Sequence, residues 1–143
     1  MIKLKSLISE VKLKSIESIN NSVLKKIASV AQKQYDQWEQ NEEGYDEELG
    51  TGGICHLIAD DVADILTDNG IEAASVCSNY EQHVYLICKF KEGVFRIDIP
   101  YSVYETGGGY NWKKLPDVKF DSSHIEIDGI DNNPNNFDQY VDY

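Results

Sequence analysis

The residues "GTGGICHLIADDVADIL" (50 to 66) put three glycines in front of a cysteine at which a helical pattern begins. A thiol is a nucleophile only as the thiolate. The partial positive charge of free N–H groups at a helix start favours that form. Those same N–H groups help stabilise an oxyanion, and glycines let the backbone approach a substrate closely. Cys55 is therefore a candidate nucleophile. A nearby imidazole can hold a thiolate in an ion pair and then protonate a leaving group. A carboxylate on the other ring nitrogen fixes the tautomer and orientation of the ring. Downstream of Cys55, His83 heads the apolar run "HVYLICKF", and Asp98 lies in the next run, "VFRIDI".

The elements that must position these three residues follow from periodicity. Val23, Ile27, Val30, Ala31, Tyr35 and Trp38 recur at spacings of three and four, which predicts a helix from Asn21 or Ser22 to about Glu39 with an Asn/Ser cap. The acidic, Gly-bearing stretch 41–53 reads as a loop. A second helix is expected over Ile54 to Asp68, burying Leu57, Ile58, Val62, Ile65 and Leu66 and ending at a Gly70 cap. "IEAASVC", "HVYLICKF" and "VFRIDI" then read as strands, with "KEG" turning between the last two. Alternation puts Val84, Leu86, Cys88 and Phe90, and Phe95, Ile97 and Ile99, on core faces. His83 and Asp98 fall together on the opposite face.

A tight turn at Glu92 and Gly93 would set Asp98 opposite Ile87, four residues along from His83, or about 13 Å by strand rise. On that register a triad needs a bulge, a longer turn or a bend. Beyond residue 100, "ETGGGYNW" reads as a Gly turn, "KFDSSHIEI" as the place for one more strand, and "DNNPNNFDQYVDY" as a weakly ordered acidic tail.

The order of a helix-borne Cys, a strand-borne His and an Asp on the following strand resembles that of papain-like and transglutaminase-like cysteine enzymes. "GGICHLIADDVADIL", "HVYLICKF" and "GVFRIDIP" carry the likeness, over roughly residues 50 to 100. It implies an α+β fold with N-terminal helices packed on an antiparallel sheet. It also implies attack on an amide, ester or thioester carbonyl, with Cys55 as nucleophile, His83 as acid/base and Asp98 as the orienting group. Peptidases, amidases, deamidases and transglutaminase-like acyltransferases all share this chemistry, so the implied substrate is a protein or peptide, peptidoglycan peptides included. The Gln that papain-like peptidases carry several residues before the Cys is absent from "ELGTGGI"; Gln37 and Gln40 lie further upstream.

Each residue also has a structural reading. Cysteine is among the residues most often buried, and Cys77 and Cys88 are expected to be small core residues. His56 neighbours Cys55, but adjacent helix residues do not face each other. His124 lies in the loop-rich region. Tyr80, Tyr110 and Trp112 are groove-lining candidates.

The formal net charge of −12 argues against nucleic acid or an anionic membrane surface as partner. Lys3, Lys5, Lys12 and Lys14 form a locally basic N-terminus. With no apolar run of about 18 residues and no secretory pattern, a cytoplasmic protein is expected. Three cysteines without repeated spacing predict neither a disulfide framework nor a zinc site. "DGIDNNPNNFD" departs from calcium-loop spacing. No metal and no cofactor are expected.

The resulting division is an arm or helix at 1–20, one catalytic-type domain at 21–127 and an acidic tail at 128–143. The alternative function is a non-enzymatic protein-binding accessory protein, of the kind encoded by phages or mobile elements, that keeps the same fold.

Overall fold

The computed structural model of the protein describes residues 13–38, 54–78, 80, 83–106 and 113–141. Among the described residues, three α-helices and a four-stranded antiparallel sheet make an α+β architecture. Helix α1 is Asn21–Gln37 and α2 is Cys55–Asp68. Strands β1 (Glu72–Ser78), β2 (His83–Phe90) and β3 (Gly93–Asp98) follow in sequence. Two short strands, β4 (Glu105–Thr106) and β5 (Lys113–Lys114), pair with each other. β6 (Glu126–Asp131) then completes the main sheet in the order β1-β2-β3-β6, and a short helix α3 (Phe137–Val141) closes the described chain.

Local chemistry sets the ends of the helices. The Asn20 side chain accepts a hydrogen bond from the Val23 amide at 3.1 Å and caps α1. At the far end of α2, Gly70 has φ +79. The Ile71 amide bonds the Leu66 carbonyl at 2.9 Å and the Gly70 amide that of Thr67 at 3.0 Å. This is the bond pattern by which a left-handed residue satisfies the last carbonyls of a helix. It delivers the buried Ile71 straight into β1.

The main core lies between the two long helices and one face of the sheet. Val23, Ile27, Ala31 and Tyr35 of α1 and Trp38 just past its end join Ile58, Val62 and Leu66 of α2 and Leu86, Cys88, Phe90 and Ile97 of the sheet. Val84, Phe95, Leu57 and Ile65, also expected inside, are partly buried against this cluster. The other face of the sheet is covered as well: Val76, Ile87 and Val94 pack with Phe137 of α3. The strand expected in "KFDSSHIEI" is β6, which begins there at Glu126 and runs on to Asp131, so the segment expected as a weakly ordered tail contributes the rest of an edge strand and a packing helix. Phe137, buried at 5% exposure, anchors it, with Tyr140 and Val141 partly buried in the same cluster.

The β2–β3 register differs from the expected one. Phe90 pairs with Gly93 and Leu86 with Ile97, so the loop is the two residues Lys91 and Glu92. Continued, this register sets Asp98 beside Tyr85, two residues from His83 rather than four. Gly93 makes the connection possible. Its φ is +143, and a Cβ there would lie 2.0 Å from the Asp131 carbonyl oxygen of β6.

Two expectations about cysteine differ in outcome. Cys88 is buried, and burial pushes its thiol up to about 12. Cys77, expected in the core, is exposed, because β1 is an edge strand and this residue lies near its end. No helix among the described residues is long and apolar enough to cross a membrane.

Candidate active site

Cys55 is the first residue of α2, and no side chain caps the residue before it. His83 opens β2 and Asp98 ends β3. Strand ends in this register form a diagonal pair, and such neighbours lie within reach of long or aromatic side chains. The His83 Nε2 donates to Asp98 Oδ1 at 2.7 Å. A carboxylate only accepts, so this bond fixes the ring proton on Nε2 and leaves Nδ1 for another partner.

His83 and Asp98 are 3% and 9% exposed, although the alternation had set them off the core. Both residues, at the ends of their strands, line a cavity shared with Cys55, Ile58, Leu86 and Tyr104 of the main-core side, which the strand alternation did not assign to them. Tyr101, in a short 3-10 helix after Pro100, packs edge-on against the His83 ring at 5.6 Å.

The imidazole is pushed up to about 9. Burial is the largest influence and opposes the charge. It is outweighed by the hydrogen bond to Asp98 and by the negative charges of Asp98 and of the Cys55 thiol nearby. Cys55, His83 and Asp98 line one small cavity, which extends between α1, α2 and the sheet past Ile27, Ile58 and Tyr104. The three residues singled out in the sequence are therefore brought together.

Three residues were not singled out. Arg96 Nη2 donates to Asp98 Oδ2 at 3.4 Å, so each carboxylate oxygen has a basic neighbour. Its position two residues before Asp98 on one strand was the available signal, since such residues share a face. Tyr104 is 1% exposed and lines the cavity. Burial first, then the negative charges of Cys55, Glu105 and Asp98, raise its phenol well above the ordinary value. Glu105, next in the chain, is raised by burial to about 7, partly offset by the positive charge of His83. Neither residue stands in a periodic pattern, so the sequence carried no signal for them.

The remaining candidates are elsewhere. Tyr80 is 98% exposed. His124 accepts from the Asp121 amide and caps a 3-10 turn. Asp131 accepts from the Asn133 amide and from the Asn136 and Tyr140 side chains, which ties the "DNNPNNFD" segment together. No metal-binding group of His, Cys, Asp or Glu occurs among the described residues. Lys3, Lys5, Lys12, Gln40, Gly50, Gly52, Gly53, Tyr110 and Trp112 lie outside the described residues.

No protein-family model matches this chain, and neither a curated protein nor a solved structure matches it.

Proposed function

We propose that the protein is a cysteine-nucleophile hydrolase or acyltransferase acting on amide bonds of protein or peptide substrates, with a papain/transglutaminase-like core. The observation that carries this reading is the convergence of three elements on one imidazole. His83 is bonded to Asp98 at 2.7 Å and carries the Cys55 thiol as its other polar neighbour.

In this reading His83 takes the thiol proton, and the imidazolium so formed stays paired with Asp98 and the thiolate. The thiolate sulfur adds to the carbonyl carbon; a C–S bond forms and the C=O π pair moves to oxygen. When that pair returns, the C–N bond breaks and His83 gives its proton to the departing amine. Water, or an amine in acyl transfer, then adds to the thioester and loses its proton to His83. The Cys55 thiolate leaves and recovers that proton. Asp98 holds the ring throughout and does not exchange protons.

The three cysteines contain their own controls, because Cys77 is exposed, Cys88 is buried and Cys55 is 7% exposed. Exposure alone would make Cys77 the reactive residue. Activation by His83 makes Cys55 react first. The test is a peptidyl vinyl sulfone at pH 6, with the adduct mapped by mass spectrometry. Labelling at Cys55 ahead of Cys77, lost in Cys55→Ala and in His83→Ala, is expected. Labelling at Cys77 alone would return the protein to the non-enzymatic reading.

A further inference from the structure

Among the described residues, three buried side-chain atoms have no hydrogen-bond partner: His83 Nδ1, Tyr104 Oη and Glu105 Oε2. Buried polar groups are nearly always satisfied, and leaving one unpaired is unfavourable. These three are not scattered. Two belong to residues lining the cavity of Cys55 and Asp98, and the third is on the residue next to Tyr104.

Tyr104 is held without help from its hydroxyl. Its ring packs edge-on against Trp38 at 6.1 Å and beside Phe120 at the same distance. Its amide bonds Tyr101 and its carbonyl accepts from Leu115. Phenylalanine would serve the packing equally and would leave no orphan group. The cavity holds about 20 Å³, room for a single water, which is also the scale of a carbonyl oxygen.

We propose that Tyr104 is a catalytic residue whose hydroxyl donates a hydrogen bond to the carbonyl oxygen that becomes negative when Cys55 attacks. This rests on the cysteine-nucleophile reading above. It supplies the side-chain donor that "ELGTGGI" lacks. The oxygen charge arises as the C–S bond forms, is held by the Tyr104 O–H without proton transfer, and disappears as the C–N bond breaks. A phenol kept neutral by burial is suited to donate in this way.

The test compares two reactions of Cys55 in the full chain and in Tyr104→Phe. Alkylation by iodoacetamide displaces iodide at a saturated carbon and develops no oxyanion. Acylation by p-nitrophenyl acetate passes through one. The expected result is alkylation within about two-fold of the parent and acylation lowered about 10²-fold. The melting temperature should be equal or higher, because an unpaired buried hydroxyl has been removed. Acylation within two-fold of the parent overturns the proposal. So does an equal fall in both reactions, which would mark Tyr104 as structural. If Cys55 of the parent chain reacts no faster than Cys77 with iodoacetamide, the nucleophile reading itself fails, and this proposal with it.

Discussion

Asp98 divides its carboxylate between two basic partners, Oδ1 to His83 at 2.7 Å and Oδ2 to Arg96 at 3.4 Å. Arg96 is itself placed by its guanidinium lying 3.8 Å over the Tyr85 ring. The carboxylate is thereby oriented from both sides, and His83 has one available tautomer. Asp98→Asn keeps the volume but removes the charge, and its amide can turn its NH₂ toward the ring and reverse that tautomer. Acylation at Cys55 should fall about 10²-fold or more. The His83 pKa should fall too, since the hydrogen bond to Asp98 is the largest influence raising it. Both are measurable, the second by following the imidazole by NMR across pH. An unchanged acylation rate would remove Asp98 from the site. In the proposed reading Cys55→Ala must do more than Asp98→Asn, because it deletes the proposed nucleophile rather than the group proposed to orient its partner.

At the scale of elements, the site depends on a hairpin of two loop residues. Lys91 and Glu92 bridge β2 and β3, and both are held to the segment before α1: the Lys91 amide bonds the Lys14 carbonyl at 2.8 Å, and Glu92 accepts from the Ser15 hydroxyl and the Ile16 amide. Next to them Gly93 runs against β6 where the register shifts between Val94 and Phe95. With φ +143 and a backbone oxygen 2.0 Å from where a Cβ would be, this position excludes side chains. Gly93→Ala should cost about 3 kcal/mol or more, from the strained backbone and the displacement of β6. The check is the urea midpoint, and an unchanged midpoint would mean that the β3–β6 edge gives way easily. Because Asp98 and Gly93 belong to the same strand, the variant should also lower Cys55 labelling.

For the molecule as a whole, the site has a consequence for stability. His83 binds its proton more tightly in the folded chain, at about 9 against an ordinary 6.5. Its contribution is therefore present in full below pH 6.5 and is lost as pH rises through 9. Glu105, raised from 4.5 to about 7, acts in the same sense over the lower window: its contribution is present below 4.5 and lost as pH rises through 7. The groups bearing on His83 are Asp98, Cys55 and Glu105, with the Tyr101 ring packed against it. Denaturant midpoints should fall between pH 6.5 and 9, by about 3 kcal/mol in free energy from His83. His83→Asn should flatten that limb and carry the Glu105 limb to higher pH, because the positive charge that lowers Glu105 is gone. A midpoint that rises over the same range in the parent chain would contradict the coupling of His83 to its acidic neighbours.

What the sequence determined was local. Period 3.6 marked α1 and α2, period 2 marked β1 to β3, and the "DNG" stop put Gly70 where the left-handed cap is. Cys55 at a helix start and His83 and Asp98 on adjacent strands followed from those periods, because each depends only on neighbours in the chain. Tertiary structure decided the rest. Alternation assigns a face but not what covers it, so neither Phe137 closing the second face nor the burial of His83 and Asp98 in the cavity of Cys55 and Tyr104 was legible. Nor was the register, since Gly93 occupies the first position of β3 only because of how closely β6 approaches. Tyr104 and Glu105 meet Cys55 and His83 across long stretches of chain, and contacts of that kind leave no periodic trace in the sequence.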